Sequence, residues 1–224
     1  MKRSVSTVIL GCLLLFAAPA VTAKPPATWD GLVQVKSKRL DLVYLQPGAD
    51  FRGYSKVMLD ATEVAFAKDW QRNYNRSAAG FTRVSESELQ TAVAKGVTAA
   101  SDIFAEAWSK GGYQIVSSPG PDVLRVTTGV VNINVNAPDR PTAGRSYTYS
   151  SDAGSATLVV EARDSMTGAL LGRAVDQRIL GDSGPATWRT SVSNRADFRD
   201  VVKTWASASV RGLAELKSLS PISP

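Results

Sequence analysis

The sequence predicts an α+β fold, a mainly antiparallel sheet with two long amphipathic helices packed on one face. Three observations lead there. Apolar residues recur every three or four positions in two separate stretches, the mark of helices with one buried face. Around those stretches run shorter segments in which apolar and polar residues alternate, the mark of half-buried strands. The length, 224 residues with 44% of them hydrophobic, suits one domain whose core needs no cross-link.

The chain opens with Lys2 and Arg3, an apolar run from Val8 to Ala20, and Val21-Thr22-Ala23 ahead of Lys24. These are the parts of a secretory signal, with cleavage expected between Ala23 and Lys24. The run falls short of the roughly 20 residues of a membrane span, and Pro19 interrupts it. Ile9-Leu10-Gly11-Cys12 resembles a lipobox and makes lipidation at Cys12 the alternative. Against it, a second apolar run follows from Leu13 to Ala18, where a lipoprotein carries a polar tether. The expected organisation is a signal over 1–23, an N-terminal arm over 24–40, one α+β domain over 41–217 and a C-terminal tail over 218–224.

Within the domain, Leu42 to Leu45 reads as a strand stopped by Pro47-Gly48, and Lys56 to Leu59 as a second. Val64 and Phe66 mark a third extended piece after a turn or bulge at Asp60 to Glu63. The first helix is expected from Glu86 to Lys110, where Leu89, Val93, Val97, Ala100, Phe104 and Ala107 keep the helical period. Ser85 with Glu88 three residues on has capping-box spacing, and Gly111-Gly112 closes the C-terminus. Leu124, Val126, Thr128 and Val130 then share one strand face, and a phase change after Gly129 hands it to Val131, Ile133 and Val135. A long hairpin connection over 137–155 leads to a strand from Ala156 to Arg163. Asp164 to Gly168 makes a compact turn into a strand from Leu170 to Leu180. The second helix is expected from Arg195 to Lys217, with Phe198, Val201, Val202, Trp205, Leu213 and Leu216 as its stripe and Ser193-Asn194 as its cap.

Composition excludes more chemistry than it suggests. There is no histidine, and the single cysteine lies in the expected signal. A Ser-His-Asp triad, a cysteine nucleophile and a zinc site of nitrogen and sulfur ligands are therefore not expected. No P-loop or nucleophile-elbow pattern occurs, and no cofactor or metal is expected. Losing Lys2 and Arg3 lowers the formal net charge from +6 to +4, too mild an excess to point to nucleic acid. Glu86 with Glu88, and Asp197 with Asp200, fall in the first helical turns, where the dipole favours negative charge. Asn132, Asn134 and Asn136 read as a polar strand face rather than a calcium loop.

One surface stands out. Trp70, Arg72, Tyr74 and Arg76 share a face if that segment is extended, and Arg145, Tyr147 and Tyr149 repeat the theme in the long connection. Guanidinium groups beside aromatic rings suit phosphate-bearing or sugar ligands, which makes these seven the candidate binding residues.

Pro47 to Phe51, Tyr54 to Asp60 with Glu63 to Phe66, Pro119 to Val126, and Glu161 to Gly168 resemble, in that order, the bacterial domain-of-unknown-function family 3313. The resemblance implies an exported Gram-negative envelope protein, in a group that includes many lipoproteins. It supplies no activity and no catalytic residue.

The expectation is therefore a non-enzymatic binding or assembly protein of the periplasm, with an outer-membrane lipoprotein as the alternative location. Its expected partner is an envelope protein or an anionic envelope component, with peripheral membrane association open and no nucleic acid. Two alternatives stand beside this. One is a carrier of a small lipid-like ligand in a pocket lined by Phe104, Trp108 and Trp205. The other is a glycan hydrolase using the carboxylates of Asp60 and Glu63.

Overall fold

A computed structural model of the chain describes residues 25–78, 83–136, 148–150, 152–181, 187–189 and 191–223. In chain order the strands before the first long helix are β1 (Thr28–Trp29), β2 (Leu32–Val35), β3 (Leu42–Leu45), β4 (Lys56–Leu59) and β5 (Glu63–Phe66). Helices α1 (Trp70–Ser77) and α2 (Glu86–Lys110) follow, then β6 (Gln114–Ile115), β7 (Val123–Val135), β8 (Thr148–Ser150), β9 (Gly154–Asp164), β10 (Leu170–Leu180), β11 (Thr187–Arg189) and α3 (Ser191–Leu219). Nine strands form one mixed sheet in the order β1-β2-β3-β10-β9-β7-β4-β6, with β5 also on β7. From β1 to β7 every pairing is antiparallel; β4 and β5 run parallel to β7, and β6 parallel to β4. β8 and β11 form a separate antiparallel ribbon. The class is α+β, with a mostly antiparallel sheet and three described helices.

The centre of the sheet is β7, β9 and β10, and local chemistry sets its turn. Asp164 Oδ1 accepts from the amides of Met166 and Thr167 and from the Thr167 hydroxyl, while Oδ2 accepts from Tyr54 at 2.9 Å. Gly168, at φ +73°, supplies the left-handed residue that closes the turn. β10 spans the expected Leu170 to Leu180.

The phase change in β7 lies three residues beyond the expected place. Gly129 pairs regularly with Val159, and the register slips between Val131 and Asn134. Asn132 there takes φ +52°, a conformation its short polar side chain tolerates better than most. Asn132 therefore sits in a bulge, and all three asparagines are exposed, as expected of a polar face. β4 and β5 behave as halves of one interrupted strand, pairing with successive parts of β7. In the break, buried Thr62 shares a 2.8 Å hydrogen bond with the Thr128 hydroxyl, and its amide donates to Ser101 of α2.

α2 has the expected limits and both halves of the expected capping box. α3 departs from expectation at both ends. It begins at Ser191, so Ser193 and Asn194 lie inside its first turn rather than before it. The first-turn amides have no intrahelical acceptor in any case, which makes polar residues there as acceptable as in a cap. Residues 70–77 form a helix where an extended segment was expected. The expected arm contributes β1 and β2 to the sheet. The expected tail is clamped as well: Ile222 is buried, donates its amide to Ala49 and accepts from Gly48.

Candidate functional site

A cavity of about 360 Å³ lies between the sheet and the C-terminal half of α3. Its sheet wall follows from strand register. Leu45, Gly172, Ala162 and Val126 are successive cross-strand neighbours over β3, β10, β9 and β7; Val43, Ala174 and Val160 form the next row. These seven line the cavity. Small side chains occupy the middle of both rows. On the opposite wall α3 presents Ala208, Ser209 and Gly212, again small, flanked by Leu213 and Leu216. Protein interiors are packed to leave few voids larger than a water. A space of this size arises because small residues stand on both walls together.

Gly212 is the informative one. In mid-helix glycine is disfavoured relative to alanine by about 1 kcal/mol, so a structural reason is expected. None is present: a Cβ at Gly212 would meet nothing within 4 Å. Gly172 differs, since its Cβ would press to 3.0 Å from Leu45 Cδ2.

At the closed end sits Trp108 of α2, only 2% exposed. Its ring meets Tyr113 edge-on at 5.2 Å, yet its indole N–H has no partner among the described residues. Trp205, equally buried, donates to Asp176 Oδ2 at 2.7 Å. A buried donor without an acceptor costs about 1–3 kcal/mol, and one of these two tryptophans carries that cost.

The exposed lining residues mark the mouth: Lys36, Ser37, Arg39, Glu215, Leu219 and Ser223. The Ser37 hydroxyl accepts the amides of Arg39 and Leu40 at 3.1 and 3.3 Å, which shapes the loop between β2 and β3. Arg39 Nε reaches Glu215 Oε2 of α3 at 3.3 Å across the opening. Lys36 makes no ion pair among the described residues.

Of the three residues expected to line a carrier pocket, one lines this cavity. Trp108 lines it; Phe104 and Trp205 are buried in the core instead. The sequence did carry a signal that the stripe reading passed over: between Trp205 and Leu213, the inward positions of α3 hold Ala208, Ser209 and Gly212 where large residues would continue the pattern.

Four of the seven surface residues fall on helix α1, which does not align them on one face. On helix α1 the spacing of four joins Trp70 to Tyr74, whose rings stack at 5.7 Å. Trp70 is buried against Phe66 and donates its indole N–H to Val135. Arg72 and Arg76 are exposed, Arg72 pairing with Asp69 at 2.9 Å. Helical period, not strand period, divides the four. Tyr149 belongs to β8, its Cα opposite that of Trp188. Arg145 and Tyr147 lie outside the described residues, as do Cys12, Ala23 and Lys24.

Asp60 follows β4 and Glu63, which is exposed, opens β5. Asp60 takes the Arg125 guanidinium at 3.0 Å and the Thr127 hydroxyl at 2.6 Å. Burial alone would raise its pKa, but those hydrogen bonds outweigh it and hold the carboxyl below its ordinary value. That is the reverse of what a general acid requires. Among the described residues no cluster of three or more acidic, histidine or cysteine side chains is placed to hold a metal. Nor is any described helix long and apolar enough to cross a membrane.

A family model described as a protein of unknown function, DUF3313, matches residues 26–209. No curated protein matches the chain. Among solved structures, the PelC dodecamer from Paraburkholderia phytofirmans is 15% identical, with 74% of this chain and 96% of that one covered at a TM-score of 0.34. Protein XCC0632 from Xanthomonas campestris, of family DUF330, is 11% identical, with 78% and 91% covered at a TM-score of 0.39.

Proposed function

The chain belongs to the DUF3313 family, and from its own geometry we propose that it is a non-enzymatic binding protein holding a small lipid-like ligand in the cavity beside α3. The observation that carries this is the pairing of small residues on facing walls, above all Gly212, which neither backbone conformation nor crowding requires. The volume lies at the lower end of ordinary ligand pockets, about 300–1,000 Å³.

The N-terminal pattern supports export and cleavage between Ala23 and Lys24, and so a place in the periplasm. An apolar ligand there is shielded from water only if a carrier surrounds it. In the arrangement we infer, α2 and α3 roof the same sheet face. Val64 lies within 3.0 Å of where a Cβ on Gly96 of α2 would stand, and Asp176 bonds Trp205 of α3. Register connects them through Val130 and Leu158, and cross-strand neighbours share a face. The absence of histidine, and the pairing of Asp60 with Arg125, support a role without catalysis.

Solvent extraction of the protein purified from its native envelope, followed by mass spectrometry, tests the reading. A lipid-like molecule should accompany the wild type in fixed proportion and be depleted from Gly212→Leu. An extract free of such a molecule would contradict it.

A further inference from the structure

We propose that the ligand is a single-chain amphiphile with an anionic head, its chain in the cavity and its head held by Lys36 and Arg39. This rests on the cavity being the binding site and adds the class of molecule that fills it.

The size of the space argues for one chain. At about 360 Å³ it suits a single aliphatic tail and is too small for a two-chain lipid. Away from the mouth its walls are mostly aliphatic and aromatic; of the polar lining residues there, Ser209 bonds the carbonyl of Trp205 and Arg173 is held by Asp30 and Glu161, so the buried part of the ligand carries few polar groups. The charge is at the mouth. Lys36 and Arg39 are both exposed lining residues; Glu215 is the opposing carboxylate. Among the exposed lining residues, two cations against one anion leave the opening positive by one charge; the third lining cation, Arg173, is already paired with Asp30 and Glu161. An exposed pair such as Arg39–Glu215, with 40% and 54% of its side chains accessible, is held weakly. Arg39 can therefore leave Glu215 for a carboxylate or phosphate head, which it grips with two parallel N–H bonds. Lys36 needs no partner exchange. Its ammonium adds a point charge, and its methylene stem extends the apolar wall toward the head. The Ser37 turn holds both cations on one short loop.

Equilibrium titrations of the delipidated full chain with decanoate, decanol and decyltrimethylammonium test this, each ligand sharing one tail. Wild type should bind decanoate at least about fivefold tighter than decanol, and the cation weakest. The advantage should shrink with added salt. In Lys36→Gln with Arg39→Gln, decanoate should fall to the level of decanol while decanol stays where it was. Equal binding of all three by wild type, or a double variant that loses decanol as well, would overturn the head assignment and leave the cavity reading standing. Failure of all three ligands would overturn the cavity reading itself.

Discussion

Trp108 and Trp205 are matched in type and burial but differ in one hydrogen bond, and that difference sets their expected behaviour. Trp205→Phe removes the donor to Asp176, a carboxylate only 3% exposed that also accepts from the Asp41 amide and from Arg178. Trp108→Phe removes a donor that bonds nothing among the described residues. Both lose ring volume, so the comparison isolates the bond: Trp205→Phe should destabilise by about 1–3 kcal/mol more than Trp108→Phe. Urea unfolding at neutral pH measures the two. Equal costs would show that the Trp108 N–H is satisfied in solution. At this scale the sequence was readable where a residue acts on near neighbours. Asp164 and Gly168 identified their own turn. Trp70 did not identify its role, because its acceptor is the carbonyl of Val135, 65 residues on.

At the scale of elements, α2 was legible end to end because its limits are written locally. Ser85 and Glu88 cap one end, and glycine stops the other. Ser85→Ala should cost about 1 kcal/mol, seen as a lower unfolding midpoint with an unchanged denaturant slope. α1 is only eight residues long, and in so short a segment aromatic and basic residues taken alternately fit either period. The stacking of Trp70 on Tyr74 and the bonds between Asn75 and Val84 decide for the helix. β7 was readable as a strand but not at its bulge. Gly129 is the more obvious breaker, yet Asn132 takes the left-handed turn. In α3 the stripe itself was evident, but its gap at Ala208, Ser209 and Gly212, which lines the cavity, went unread. Gly212→Ala should stabilise the protein by about 0.5–1 kcal/mol, since the added methyl meets no neighbour. A destabilised variant would place an unseen constraint on that position.

Across the whole molecule, acid should act through carboxylates that bind separate parts of the chain, among them Asp164, Glu161 and Asp60. In Asp164 the hydrogen bonds from Thr167, backbone and side chain, lower the pKa, and Tyr54 adds to them. In Glu161 burial pushes up, but Arg163 and Arg173 outweigh it; Arg173 also lies 4.2 Å from Trp29 and bonds Asp30, joining β1 to the sheet. Asp60 is lowered in the same sense. For groups depressed on folding, the stabilisation is complete above the unfolded value, about 4, and is lost as pH falls through the folded value. Stability should therefore hold from neutral pH down to about 5 and decline below about 4. Asp164→Asn should flatten that decline, which urea midpoints across the acid range would record. An acid limb of unchanged slope would remove Asp164 from the account.

The cavity is also a property of the whole molecule, since its walls come from five strands, two helices and both ends of the domain. The gap in the α3 stripe supplies one wall only; the space needs the coincidence of Gly172, Ala162 and Ala174 with Ala208 and Gly212. The most direct measurement is a titration of delipidated wild type and Gly212→Leu with decanoate, with thermal unfolding of both run in parallel. Saturable binding by wild type, at least about tenfold weaker in a variant that unfolds at the same or a higher temperature, is the predicted result. Equal binding by the two folded proteins would contradict the claim that the space beside Gly212 is the ligand site.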